Sequence, residues 1–192
     1  MKGPWSDHYT RKARAAGYGA RSVFKLEEIQ RRTQVIRRGI RALDLGCYPG
    51  SWSRYLIEQG VGHLVGVDLK VPDDLKGTFI AADALQITPE ALLEALGGQA
   101  DLICSDMAPS TTGDRFGDHL RQLALARRAL ALCAPLLRPG GAFVTKVFDG
   151  AEAPAFDGEV KAAFAGLRRL RPDATRKHSV EYFVVATGYR GA

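Results

Sequence analysis

Asp44-Leu45-Gly46-Cys47-Tyr48-Pro49-Gly50-Ser51-Trp52 is the stretch on which the fold turns. The apolar run Ala42-Leu43-Asp44-Leu45 reads as a buried strand, and the residues from 51 to 60 read as a helix. A strand that passes through a glycine-containing loop into a helix is the opening unit of an α/β sheet, and ligands bind at the carboxyl ends of such strands. A dinucleotide-binding loop needs a glycine two places after Gly46, where this chain has Tyr48. Pro49 follows, and proline has no N–H to offer a pyrophosphate. The loop therefore suits a ligand that makes no phosphate contact there.

Outward from this loop the chain alternates. Further short apolar runs at 63–67, 78–81, 102–104 and 142–145 predict strands, with helices near 89–97 and 118–137, the latter ended by Pro139-Gly140-Gly141. A last strand at 182–187 follows a candidate strand at 168–172, and two strands without an intervening helix pair antiparallel. The expectation is a doubly wound, mostly parallel, seven-stranded Rossmann-like sheet with an antiparallel edge and helices on both faces. Upstream, a helix opens over 22–29 with Ser22 as its N-cap, and residues 1–20 read as a basic arm. No repeat or linker divides the chain, so residues 1–192 are expected to form one domain.

The charge is unevenly distributed. Residues 1–41 hold eleven Lys and Arg against three acidic residues, a net +8, which leaves −2 for the rest of a chain of net +6. A basic segment of this kind suits a polyanionic partner, because each cation near a phosphate releases condensed counterions. No apolar run is long enough to span a bilayer, and the first residues lack a secretory stretch, so a cytoplasmic protein is expected. Cys47, Cys104 and Cys133 are widely spaced and odd in number, as reduced structural thiols would be. His8, His63, His119 and His178 show no ligand spacing, and no metal is expected. Ser105 and Ser110 lack a nucleophile elbow, which argues against a hydrolase.

Candidate binding residues fall at successive strand ends. Gly46 and Gly50 let backbone approach a ligand, Asp68 stands where a carboxylate takes both ribose hydroxyls, and Asp83 stands where one reaches an adenine amino group. Together they outline a pocket for an adenosyl group with a short zwitterionic tail, the shape of S-adenosylmethionine (SAM). From Ser22-Val23-Phe24-Lys25-Leu26, through the loop above, Ser105-Asp106-Met107-Ala108-Pro109 and Thr145-Lys146-Val147-Phe148, to Ser179-Val180-Glu181-Tyr182, the chain resembles the FtsJ family of ribosomal RNA large-subunit 2′-O-ribose methyltransferases, also called RrmJ or RlmE. The resemblance implies SAM contact by Gly50, Trp52, Asp68, Asp83 and Asp106, with Trp52 as a wall of the loop. Ser51 stands where close relatives often carry a second glycine, a change expected to stiffen the loop.

The chemical demand is to make a ribose hydroxyl attack a sulfonium methyl group in line, with a base to take its proton. Lys146 lies in the apolar run Phe143-Val144-Thr145-Lys146-Val147-Phe148, where a lysine without a special role is costly. A lysine base must be depressed by burial or by a second cation, and Lys25 on the N-terminal helix is the candidate for that cation. Asp106 is expected to position the lysine and the methyl donor, and Glu181 either to orient a lysine or to hold the ribose. The resemblance implies the same four residues, with Lys146 as proton acceptor.

A 2′-hydroxyl as the reacting group selects RNA over DNA. The basic arm would track phosphates toward the site, Arg168, Arg169, Arg171, Arg176 and Lys177 would add a second strip, and Tyr9, Tyr18 and Tyr48 are candidate nucleotide contacts. The loop 110–117 is expected to be mobile and to order on RNA. The resemblance implies a uridine of 23S rRNA in the assembled large (50S) subunit, with tRNA or an mRNA cap as alternative substrates. A non-catalytic RNA-binding module is countered by the intact lysine and carboxylate set, and a nicotinamide-dependent oxidoreductase by Tyr48 and Pro49. A monomer is expected, since no apolar helix face is left over.

Overall fold

The computed structural model describes residues 8–176 and 179–191. The elements run α1 (His8–Ala15), α2 (Val23–Thr33), β1 (Arg41–Leu45), α3 (Ser51–Glu58), β2 (His63–Asp68), β3 (Thr78–Ala81) and α4 (Pro89–Leu96). They continue with β4 (Ala100–Ser105), α5 (Arg115–Ala131), α6 (Cys133–Leu136), β5 (Leu137–Phe148), α7 (Ala153–Ala163), β6 (Phe164–Leu170) and β7 (Glu181–Tyr189). The seven strands form one sheet in the order β3-β2-β1-β4-β5-β7-β6. From β3 to β5 every neighbouring pair is parallel, and β7 runs antiparallel to both β5 and β6. The antiparallel strand is thus inserted one place in from the edge, with β6 outermost.

Two apolar layers sandwich the sheet. On one face α4, α5, α6 and α7 pack through Leu92, Leu96, Leu123, Ala126, Leu136, Phe156 and Val160 onto Leu43, Ile103 and Phe143. On the other, α1, α2 and α3 pack through Ala13, Leu26, Ile29, Trp52 and Leu56 onto Ala42, Cys104, Val144 and Phe183. Alternate strand residues serve opposite layers because side chains alternate across a strand. That alternation sends Val144, Lys146 and Phe148 to the α2–α3 face, together with Glu181 and Phe183, their cross-strand neighbours on β7. The strand order reverses between β1 and β4, so a crevice opens above their carboxyl ends.

Several local expectations change. Ser22 has helical backbone angles and makes no side-chain cap bond; α2 runs on to Thr33 and ends at Gln34 in the left-handed region. Residues 8–15 of the arm form a helix, docked by Ala13, by Tyr9 against Phe24 and by the Lys12 ammonium 4.5 Å from the Phe24 ring centre. The long helix begins earlier than expected, at Arg115 under an Asp114 cap, and breaks at Leu132. Leu137–Gly141 belong to β5, so Pro139-Gly140-Gly141 lies within a strand instead of ending a helix. Cys47, Cys104 and Cys133 are buried free thiols, and burial pushes each well up from the ordinary cysteine range. No helix among the described residues is long and apolar enough to cross a membrane.

Candidate active site

The crevice above the switch point is a cleft of about 310 Å³ lined by Gly46, Tyr48, Asp68, Asp83, Asp106 and Met107, among others. Gly46 is among the lining residues, and Gly50, at the N-cap of α3, is not. Gly46 has φ +82°, and a Cβ there would meet Met107 at 2.9 Å; Gly50 has φ +97°, and a Cβ would meet the Leu75 side chain at 2.9 Å. Both conformations disfavour any L side chain. The Tyr48–Pro49 peptide between them is cis. Asp68 at the end of β2 accepts the N–H groups of Tyr48 at 3.0 Å and of Leu69 at 2.7 Å, so its carboxylate fixes the loop rim. Asp83 accepts from the Leu85 N–H at 2.9 Å.

Beneath the loop lies a carboxyl, Asp44, to which the sequence assigns no role of its own. Asp44 is fully buried, accepts the Ser53 hydroxyl at 2.6 Å through one oxygen, and has no partner for the other. Burial, the largest cause, raises it from 3.8 to about 7 against the lowering Ser53 bond, and the neighbouring Asp106 and Asp68 raise it further.

The four expected catalytic residues form two ion pairs, one on Asp106 at the cleft and one in a second cavity. Lys146, 5% exposed, donates to the Asp106 carbonyl at 2.6 Å and to its carboxylate at 3.0 Å. Lys25, 8% exposed, pairs with Glu181, and its ammonium lies 5.6 Å from the ring centre of Phe183. Phe183 is the cross-strand partner of Lys146. The direct partner of Lys25 is Glu181. A second cavity, of about 510 Å³, is lined by Arg21, Lys25, Arg176, Ser179 and Glu181. Burial, then the nearby Arg176, pull the Arg21 guanidinium below its ordinary range.

Trp52 is not among the residues that line the cleft. Its indole packs on Phe183 with ring centres 5.7 Å apart and donates to the Ser22 carbonyl at 2.9 Å, which holds the start of α2. Ser51, buried, accepts the Ala20 N–H at 2.7 Å and so ties the arm to the loop. Tyr18 is bonded to Glu58 and Tyr9 packs on Phe24, so of the three tyrosines only Tyr48 is exposed beside the cleft. Loop 110–117 is more organised than its composition implies. Asp118 accepts from Thr112 at 2.9 Å and Gly113 at 3.3 Å, and also pairs with Arg121. In the basic strip, Arg168 donates to the Arg32 carbonyl and Arg169 pairs with Asp157; Lys177, like His178, lies outside the described residues.

Sequence reasoning also missed a clamp on Lys146 from α5. The Gln122 amide donates to the Lys146 carbonyl at 2.5 Å and accepts from the Phe148 N–H at 2.9 Å. His119 bonds the Phe148 carbonyl at 3.0 Å and accepts the Glu152 N–H at 3.3 Å. Polar residues at the positions of α5 that its leucine and alanine spacing turns inward were the available signal, since buried amides need partners.

A sheet of this order, with its ligand crevice at the switch point and a buried lysine at the mouth, is the architecture of an α/β methyltransferase. Residues 18–189 match the model of the FtsJ-like methyltransferase family. The chain is 45% identical over 195 residues to Ribosomal RNA large subunit methyltransferase E of Desulfatibacillum aliphaticivorans, covering 99% of this chain and 94% of that one. The protein of the same name from Caulobacter vibrioides is 42% identical, covering 97% of this chain and 83% of the relative. A Plasmodium falciparum crystal structure described as a ribosomal RNA methyltransferase superposes with a TM-score of 0.82 at 24% identity, over 91% of this chain and 100% of the other, and supports the fold. The chain belongs to the FtsJ-like methyltransferase family.

Proposed function

We propose that this RNA methyltransferase moves the methyl group of SAM to the 2′-hydroxyl of a uridine in 23S rRNA, within the large ribosomal subunit, as a cytoplasmic monomer. The observation that carries the reading is the buried Lys146 ammonium, held by the carbonyl and carboxylate of Asp106, a residue that itself lines the cleft. The relatives' name, a large-subunit ribosomal RNA methyltransferase, supports the substrate.

The cleft fits SAM. Its volume lies at the small end of the usual ligand range, its loop offers no phosphate cradle, and its carboxylates stand at the ribose and base positions. Asp68 would hold the ribose, Asp83 the adenine, Gly46 and Gly50 the chain leading to the methionine tail, and Asp106 the region next to the methyl group. The orphaned Asp44 oxygen lies buried beneath the loop. When bound, SAM supplies an electrophilic methyl group on a sulfonium.

The protein's residues then have separate tasks. A neutral lysine amine has two hydrogens and one lone pair. In that form Lys146, its nitrogen held by the Asp106 carbonyl and carboxylate, receives the hydroxyl proton on the lone pair. Gln122 holds the strand from which Lys146 projects. Glu181 keeps Lys25 in place and offers a carboxylate to the acceptor ribose, while Arg21, Lys25 and Arg176 give the adjoining cavity the charge to hold flanking phosphates.

The test is transfer of labelled methyl from SAM to large subunits from cells lacking the protein, with free 23S rRNA and tRNA alongside. Label recovered from subunits as a 2′-O-methyluridine is expected. Label on a base, or in tRNA alone, would overturn the reading.

A further inference from the structure

The first turn of α5 presents an aromatic ring to solvent with nothing in the domain to explain it. Phe116 is 64% exposed and is the one exposed phenylalanine of the chain's eight, all of which are described. Scattered exposed apolar residues are ordinary, so position and support decide whether this one matters. Both are specific here.

Phe116 lies three residues, about one turn, before His119, and His119 and Gln122 are buried on the face of α5 that turns toward β5. His119 and Gln122 grip the backbone of Lys146 and Phe148 through the bonds given above. At about 1.5 Å of rise per residue, Phe116 stands about 9 Å along the helix axis from the residue that touches Lys146. It therefore projects beyond the carboxyl ends of the strands, at the end of the sheet where the lysine works. The turn that carries it is fixed by two carboxylates. Asp114 accepts the N–H groups of Phe116 and Gly117, each at 3.1 Å, and Asp118 gathers Thr112, Gly113 and Arg121. A solvent-facing aromatic on so constrained a turn has little freedom left to lose on binding.

Its neighbours define the partner. Arg115 and Arg121 flank it and are exposed. Leu120, one turn on, and Val180, whose carbonyl accepts the Asp149 N–H beside the end of β5, are exposed apolar groups at the same end. An exposed ring beside the exposed Arg115, with Arg121 further along the helix paired to Asp118, is complementary to a base on a phosphate chain, whereas an apolar protein surface would bury the Arg115 charge.

We infer that Phe116 is a stacking platform for an unpaired nucleobase of the RNA next to the methylated nucleotide, with Arg115 and Arg121 on the adjoining phosphates. The inference rests on the RNA methyltransferase reading above. The α5 rim and the Arg21–Lys25 rim then flank the target from opposite faces of the sheet, and the clamp through Gln122 sets the platform in register with Lys146.

The experiment compares wild type with Phe116→Ala, Phe116→Leu and Phe116→Trp in methyl transfer to large subunits, with SAM affinity and melting temperature measured for each. Loss of one base–aromatic stack raises KM for the RNA about 5- to 150-fold. The expected result is such a rise for Ala and Leu, wild-type behaviour for Trp, and unchanged SAM affinity and melting temperature throughout. The Trp variant's emission should also be quenched, beyond any response of the wild type, by protein-free large-subunit rRNA. An Ala or Leu variant with wild-type KM overturns the platform. Emission that responds to subunits but not to protein-free rRNA overturns it too, because a ribosomal protein then covers the ring. Absence of transfer by the wild type in the same assay would fault the methyltransferase reading instead.

Discussion

Asp44→Asn isolates the electrostatic cost of the buried carboxyl beneath the cofactor loop. Asparagine keeps the shape and the oxygen that accepts the Ser53 hydroxyl, and it removes the charge. Raising a carboxyl from 3.8 to about 7 disfavours its ionised form by about 4 kcal/mol. The folded state therefore binds this proton more tightly than the unfolded state. The stability Asp44 contributes is complete below pH 3.8 and is lost as pH rises towards 7. Linkage over that window makes wild type lose about 2.5 kcal/mol relative to Asp44→Asn between pH 5 and pH 8. Urea unfolding of both proteins at those two pH values measures the difference, and any constant cost of the amide cancels between them. A wild-type-minus-variant difference that stays flat from pH 5 to pH 8 would refute the assignment of a desolvated, proton-holding Asp44.

Other perturbations read different joints of the site. Gln122→Leu strands the Phe148 N–H, at a cost of about 1–3 kcal/mol, and leaves the Lys146 carbonyl only the Thr145 hydroxyl at 3.3 Å, so thermal unfolding should come earlier. In the same variant kcat should fall more than SAM affinity, and a proportionate loss of both would contradict the clamp. Gly46→Ala places a Cβ 2.9 Å from Met107 at a positive φ, and calorimetry should show SAM binding lost or severely weakened. Ser51→Gly removes the acceptor of the Ala20 N–H, worth about 1 kcal/mol, and hydrogen exchange at Ala20 should quicken while exchange in β1 does not change.

The fold was legible because its signals are local and repeated. Each strand is a short apolar run and each crossover a periodic helix, so the parallel sheet and the strand-end carboxylates follow from spacing alone. Lys146 was legible for a related reason: a lysine inside Phe143–Phe148 demands an explanation that burial by itself does not give. Contacts between distant elements were not legible. Nothing in the sequence near Ser51 tells that Ala20 lies on it, and nothing near Trp52 tells that its indole turns from the cleft to bond Ser22. Ser22 misled because serine before an apolar run is a cap by statistics, whereas here its carbonyl is held by Trp52 and its backbone is already helical. Pro139-Gly140-Gly141 misled similarly, since proline and glycine break helices but are also tolerated where a strand is irregular; the β4–β5 register shifts beside them.

The central claim is that Lys146 takes the proton from a ribose hydroxyl while the cofactor is held by other residues. Lys146→Ala compared with wild type tests it, with SAM affinity by calorimetry and single-turnover methyl transfer to unmodified large subunits measured on the same preparations. Loss of a positioned base removes at least about 10²-fold in rate. The expected result is that loss in transfer, with SAM affinity within about threefold of wild type, below the 1 kcal/mol expected for a lost direct contact. Transfer at a rate comparable to wild type, with SAM bound equally well, would contradict it.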